Sequence, residues 1–491
     1  MDATRKANLD RAFNPQVIAV VGDKKITDYM WLKSVRDAKA KVVSVQIDEN
    51  EIPGILEMGF ENYPSLADVP GQVDYVIVAV PRPVAPRIVK DAIDVGAGAA
   101  ALFTSGFAET GEEQGVQLQD ALTQMTHEAN FNLVGPNCMC LYHSKTGIRN
   151  SADQWIGEGG DIGFMSNSGT HATSFVMRAR NNGLFPLKSI SMGNSISVDQ
   201  GDWLEYLGDD PEVKSIGMYV EGTRDGRKFF EALRDVAARK PVVIWKGGQT
   251  REGARAAASH TGHLASDMAL WDAMIRQTGA IRVDTQDELM DAFKALHFMK
   301  PFTGNRMGIV AQTGGQSVLV SDAFGREGLT VPDLTQESYD ILEPIVTVVG
   351  GSYKNPLDVS GSLTSIERGR EMLDTLAADT NTDIIVIEAS IGFISRRLER
   401  QGKTMDDLID MFKEFQESTD KPFGVIATWN QDEAALAEFR IKIADRGVAV
   451  FPSFQDAARA IRRLREYYVT QAELAAGSQG PWRSRRRGRR H

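Results

Sequence analysis

The residues best suited to chemistry lie between Glu221 and Asp267. His260 stands in Ala258-Ser259-His260-Thr261-Gly262-His263, downstream of Lys246, Gly247, Gly248 and the cations Arg251 and Arg255. An imidazole has a reference pKa of ~6.5, so near neutral pH much of it is an uncharged nucleophile. The stretch from Gly247 to Asp267 reads as a long, small-residue-rich, electropositive loop, and a ring presented that way can meet two reactants in turn. Glu221 closes the apolar run Lys214 to Val220, just before Gly222. An acid there is either a loop residue or the partner of a cation, and a histidine is one candidate. Ser166-Asn167-Ser168-Gly169-Thr170 follows a further apolar run and opens a helix expected from about Ala172 to Asn182. Such a turn offers free backbone N–H groups at a positive dipole end, which suits phosphate and equally serves an ordinary N-cap.

Three alternating series of strands and helices must position these groups. Over residues 8–150 the runs Val17 to Val21, Lys41 to Val45, Tyr75 to Val80, Ala99 to Thr104 and Phe131 to Val134 read as strands. Helical periodicity fills Pro86 to Val95 and Gly115 to Asn130. Strands apolar on both faces, alternating with helices, predict a parallel, doubly wound α/β sheet. Ligands on such sheets sit at the carboxyl ends of strands. Here those ends are Gly22-Asp23, Pro81-Arg82-Pro83, Thr104-Ser105-Gly106-Phe107 and Gly135-Pro136-Asn137. A dinucleotide fingerprint would need further glycines after Gly22, where the chain has Asp23-Lys24-Lys25, so an oxidoreductase is a minor alternative. Residues 157–300 repeat the alternation, and 301–465 begin it again with Arg306 to Ala311 and Gln312-Thr313-Gly314-Gly315. The last two series read as flavodoxin-like units in tandem. Nothing like His260 occurs in the second, which reads as a scaffold or interface domain.

Composition narrows the classes. At 491 residues about three domains are expected, and the formal charge of 55 − 66 = −11 argues against a body that coats nucleic acid. No apolar run approaches the ~20 residues of a membrane span, and Met1 to Lys6 opens no secretory signal. Cys138 and Cys140 are poorly spaced to bridge and have no companions for a metal, so no tightly bound metal and a reduced, cytoplasmic setting are expected. Residues 466–491 end in an arginine-rich segment read as a disordered basic tail.

Several short motifs follow one another in a telling order. They are Pro81 to Pro83, Ser105-Gly106-Phe107-Ala108-Glu109, Gly135-Pro136-Asn137-Cys138, Ser166 to Gly169, Glu221-Gly222, Lys246-Gly247-Gly248 and Ala258 to Gly262. From about Asn14 to Arg465 the chain resembles the NDP-forming acyl-CoA synthetases, relatives of the succinyl-CoA synthetase alpha subunit. That resemblance implies a Rossmann-like CoA-binding domain followed by two flavodoxin-like succinyl-CoA-ligase domains. It makes His260 the phosphorylated histidine and Glu221 the acid that steadies it. Ser166, Asn167, Ser168, Gly169 and Thr170, with Lys246, Gly247 and Gly248, would hold phosphate. Gly22, Lys24, Pro81, Arg82, Ser105, Gly106, Phe107, Pro136 and Asn137 would meet coenzyme A.

The implied reaction converts acyl-CoA, phosphate and a nucleoside diphosphate into a carboxylic acid, CoA and the triphosphate, in either direction. Only about 26 residues follow Arg465, so the nucleotide (ADP/ATP) and Mg would come with a separate ATP-grasp beta-type chain in a hetero-oligomer, a homodimer being the other assembly considered. The chain departs from the family at Asp23-Lys24-Lys25, at the bulky Tyr29-Met30-Trp31, and at His263, where a small residue is usual. These departures leave a second reading: a CoA- or acyl-CoA-binding regulatory or assembly protein with reduced turnover.

Overall fold

The computed structural model describes residues 1–261, 268–360, 365–428 and 432–477, and of residues 258–261, 393, 396, 397 and 477 the backbone alone. Two compact units emerge: Met1–Arg180 with Phe185–Asp284, and a second made of Asn181–Leu184 and the chain from Thr285 onward.

The first unit opens with α1 (Ala3–Phe13), β1 (Val17–Val21), α2 (Met30–Val35), β2 (Lys41–Val45), α3 (Ile52–Glu57) and β3 (Glu61–Tyr63). It continues through β4 (Tyr75–Val78), α4 (Ala85–Asp94), β5 (Ala99–Leu102), α5 (Glu113–Glu128) and β6 (Asn132–Val134). The strand order β3-β2-β1-β4-β5-β6 is parallel throughout and reverses direction of growth at β1. Every residue of β1, β4 and β5 is buried, as expected where helices cover both faces. Asp74, just before β4, ties together the starts of the central strands, accepting the Gln16 amide at 2.8 Å and the Arg11 guanidinium at 3.0 Å.

The same unit carries a second sheet. Its elements are β7 (Leu141–His143), β8 (Ile162–Ser166), α6 (Gly169–Arg180), β9 (Pro186–Ser191), α7 (Gln200–Asp209) and β10 (Ser215–Val220). After these come α8 (Gly226–Ala237), β11 (Val242–Lys246), α9 (Arg251–Thr261), α10 (Met268–Thr278) and β12 (Ile281–Val283). The order is β12-β11-β10-β8-β9-β7, with β7 antiparallel to β9 at the edge.

The second unit holds α11 (Gln286–Phe298), β13 (Met307–Ala311), α12 (Gly314–Arg326), α13 (Gln336–Leu342), β14 (Leu357–Asp358), α14 (Ile366–Ala378) and β15 (Ile384–Glu388). It ends with α15 (Ile391–Arg400), α16 (Met405–Ser418), β16 (Phe423–Ile426), α17 (Glu433–Asp445), β17 (Val450–Phe451) and α18 (Phe454–Gly477). Its parallel sheet runs β14-β13-β15-β16-β17.

The structure corrects several expectations. Arg251 to Ala258, read as loop, is helix: Thr250 Oγ1 caps the Gly253 amide at 3.1 Å, and the alanines that follow are the best helix formers. Helix α6 starts at Gly169, three residues before Ala172, because Ser168 already closes its first turn by accepting the Ala172 amide at 3.1 Å. The presumed tail begins inside α18, whose 466–477 segment remains helical; residues 478–491 lie outside the described residues. The short strands β3, β7, β12 and β14 had no long apolar run to announce them. Apart from these corrections, α11 packs within the second compact unit, where Lys294 Nζ donates to Val450 O at 2.7 Å. Among the described residues no helix is long and apolar enough to cross a membrane.

One buried ring in β7 carries a pH prediction. His143 Nδ1 lies 2.9 Å from Phe13 O, while Nε2 is buried without a partner among the described residues. Burial pushes its pKa down from 6.5 to about 4. The unfolded chain therefore takes a proton that the folded ring refuses, and this contribution is present above pH 6.5 and lost as pH falls toward 4. It amounts to about 3 kcal/mol across that window. Urea unfolding at pH 7.5 and 4.5 is expected to show a steeper loss for the native chain than for His143→Gln. Equal losses in the two proteins would show that the ring is not held neutral.

Candidate active site

Growth of the second sheet reverses at β8, so β8 and β10 splay their carboxyl ends into a crevice. Residues from both strands meet there. Asn167, just past β8, accepts the Glu221 amide on Oδ1 at 3.2 Å and donates from Nδ2 to Gly193 O at 3.3 Å. Ser166 Oγ accepts the Ser168 amide at 3.0 Å and donates to Ser168 O at 2.8 Å, which bends the chain into α6. Ser168 Oγ takes the His171 amide at 3.4 Å. The Gly169 and Thr170 amides, at the first turn of α6, are thereby presented at the crevice.

Glu221 is buried at 8% exposure, and its two oxygens differ. Oε1 accepts the Tyr219 hydroxyl at 3.2 Å; Oε2 is enclosed and has no partner among the described residues. An unpartnered buried carboxylate oxygen is costly unless something comes to meet it. The second unit supplies a contrast. Glu388 ends β15 in the equivalent place, but its Oε2 accepts the Gln312 amide at 3.0 Å and its Oε1 the Thr428 hydroxyl at 3.2 Å. Burial pushes the Glu388 carboxyl up, and both of its oxygens are occupied.

Lys246 does not stand where an open phosphate contact was expected. Its ammonium is buried, donates to Glu221 O at 2.7 Å and to Gly247 O, and lies 5.4 Å from the Trp271 ring centroid. Desolvation lowers its pKa while Glu221 raises it. This lysine fastens two strand ends together. Gly247 sends its amide to Val220 O at 2.9 Å, so that N–H is also committed to the fold. Gly248 has φ +70, the left-handed conformation that glycine adopts freely.

Helix α9 carries the His260 backbone in its last turn, just before Thr261. The side chain of His260, and all of His263, Ser266 and Asp267, lie outside the described residues. The same helix packs against the turn at Ala108–Thr110, which follows the Ser105-Gly106-Phe107 loop of the first sheet.

That loop forms a rim with its neighbours. Arg82 Nη1 donates to Gly106 O at 2.6 Å and pairs with Glu112 at 2.9 Å. Pro81 and Ser105 are exposed beside it. Phe107 departs from its expected role: it is fully buried in the core of the first sheet and anchors the loop. Pro136 is buried as well, its carbonyl accepting the Asn194 amide at 3.0 Å, while Asn137 sends its amide to Thr104 O at 3.0 Å. Gly22 has φ +82, and a Cβ there would come within 2.5 Å of Val80. Past it, Asp23 occupies the start of α2, accepting the Trp31 and Leu32 amides at 3.0 and 2.9 Å. Burial pushes the Asp23 carboxyl up against those bonds. Lys24 and Lys25 stand on the turn between. Glu109 was not singled out from the sequence, although it joins the sheets: Oε1 accepts the Gly106 amide at 2.6 Å and Oε2 the Asn194 side chain at 2.7 Å. No spacing rule marks such a residue.

This fold and site define a class: a CoA-binding domain followed by a succinyl-CoA-ligase-like domain. Family models with those two descriptions match residues 16–144 and 159–296. The alpha subunit of ADP-forming acetate–CoA ligase II from Pyrococcus furiosus is 32% identical over 386 residues, covering 77% of this chain and 81% of that one. The alpha subunit of ligase I from the same organism aligns at 27% identity over 95% of this chain and 99% of its own length. ADP-forming acetate–CoA ligase I of Archaeoglobus fulgidus is 32% identical, and this chain spans about half of it, 54%. The dinucleotide-forming acetyl-coenzyme A synthetase 1 of Ca. Korarchaeum cryptofilum shares the fold, with a TM-score of 0.81 at 24% identity over 96% of this chain and 98% of that one. The chain belongs to the ADP-forming acetate–CoA ligase alpha-subunit family.

Proposed function

We propose that this protein is the alpha-type component of an NDP-forming acyl-CoA ligase that works through a phosphohistidine. Phosphate attacks the thioester carbonyl, the C–S bond breaks, and CoA leaves as a thiolate that takes up a proton. The product is an acyl phosphate. A neutral His260 nitrogen then attacks phosphorus, the P–O bond to the acyl group breaks, and the carboxylate departs. The phosphorylated ring passes its phosphoryl group to a nucleoside diphosphate, which with Mg belongs to an ATP-grasp partner chain.

The observation that carries this reading is the Glu221 carboxylate. One oxygen is bonded and the other is buried without a partner among the described residues, at a strand end tied through Asn167 to the start of α6. That arrangement suits a carboxylate waiting for an imidazolium-like ring beside a phosphate-holding helix start. Positioning and anion-stabilising donors are most of what phosphoryl transfer requires. Coenzyme A is assigned to the rim of Gly22, Lys24, Pro81, Arg82, Ser105, Gly106 and Asn137. Because Asp23 fills the start of α2, its phosphates are assigned to Lys24, Lys25 and Arg82 rather than to that helix.

The test is phosphoryl labelling. Incubation with an acyl-CoA and labelled phosphate, or with labelled ATP and a candidate ATP-grasp chain, is expected to leave acid-labile, base-stable label on the protein. Tight CoA binding with no label under either condition would favour the regulatory reading instead.

A further inference from the structure

Tyr219 and Glu221 are two residues apart on β10 and its extension, so their side chains share one face of the sheet. The tyrosine ring is held on two sides. Trp245, its register partner on β11, lies 4.5 Å away at 61°, and His171, from the first turn of α6, lies 4.5 Å away at 67°. His171 and Trp245 also touch each other, 4.5 Å between centroids, which closes a three-ring clamp. Burial lowers the His171 pKa, which favours the uncharged ring. Above the hydroxyl, Gly247 leaves room that no other residue could: a Cβ there would stand 2.4 Å from Tyr219 Oη. Burial pushes the Tyr219 phenol up and the Glu221 charge adds to it, so the group remains a donor.

Glu221 is therefore restrained at both ends. Its backbone amide is held by Asn167 and its Oε1 by Tyr219, and among the described residues Oε2 is left over. We infer that Tyr219 is a positioning residue for the phosphoryl step: clamped by His171 and Trp245, its hydroxyl fixes Glu221 so that Oε2 alone meets the histidine. This inference rests on the function proposed above. Removing the hydroxyl frees the carboxylate to rotate and to pair with water, while the ring and its packing stay in place.

Tyr219→Phe is the direct test, read as the rate of phosphoryl labelling alongside CoA affinity. The rate is expected to fall on the order of tenfold, the effect of one lost hydrogen bond to a charged group, with CoA affinity unchanged. The cycle with Glu221→Ala, which removes the acceptor of the Tyr219 hydroxyl, separates positioning from general support of the fold. If the hydroxyl acts through Glu221, the double variant labels no more slowly than Glu221→Ala alone. Independent, additive losses would overturn the inference, as would a Tyr219→Phe protein that labels at the native rate. A native chain that takes no label overturns both the inference and the function beneath it, whereas a labelled native chain with an indifferent Tyr219→Phe overturns the inference alone.

Discussion

His260→Ala is expected to abolish acid-labile phosphoryl label while leaving the first half-reaction intact. In the proposed scheme the imidazole is the acceptor of the phosphoryl group, and alanine offers no nucleophile in its place. Attack of phosphate on the thioester does not involve the ring. Exchange of labelled phosphate into acyl phosphate, measured with acyl-CoA present, should therefore continue near the native rate. Nucleotide-dependent turnover should fall below detection. Label that persists in the variant would move the phosphoryl carrier elsewhere, with His263 and His171 the first places to look. Loss of both half-reactions together would instead mark His260 as a support of the site.

The second large effect is expected from Glu221→Gln. The substitution keeps the size of the side chain and an oxygen for Tyr219 to meet, but it removes the negative charge that would steady a phosphorylated, cationic ring. Charge stabilisation of this kind is worth on the order of a hundredfold in rate. Labelling should slow by about that factor. CoA affinity should change little, because the rim around Arg82 and Gly106 lies on the other sheet of the unit. Equal losses in labelling and in CoA binding would argue against the role. Glu388 offers a control: it ends the corresponding strand of the second unit with both oxygens bonded, so Glu388→Gln should disturb stability and leave labelling alone.

The contrast between those two glutamates shows how far a sequence can be read. Both follow an apolar run, Ser215–Val220 in one case and Ile384–Ile387 in the other, and both runs announce buried strands. The opening turns Ser166 to Thr170 and Gln312 to Gly315 look alike for the same reason: a strand must release its chain into a helix. Which acid keeps a vacant oxygen depends on partners far away in the chain. The Glu388 carboxylate is satisfied by Gln312 and Thr428, whereas among the described residues the Glu221 carboxylate meets Tyr219 alone.

Other departures share that origin. Phe107 carried the expectation of a ligand contact because it sits in a loop motif, yet its ring fills the core of the first sheet. Lys246 looked like an open cation, yet its ammonium ties Glu221 O to Gly247 O. Local signals gave the segment Arg251–Thr261 to a loop on the strength of glycines at its flanks, although its alanines favour helix.

Strand–helix alternation, the apolar character of the strands and the order of the motifs were settled by the amino-acid sequence alone. Each of these depends on residues close together in the chain, where periodicity and turn chemistry act. The hydrogen-bond state of Glu221, the three-ring clamp around Tyr219, the carboxylate of Asp23 on the start of α2 and the packing of α9 against Ala108–Thr110 were decided only in three dimensions. Those features depend on which distant side chains the sheet order places side by side, and no local pattern encodes that.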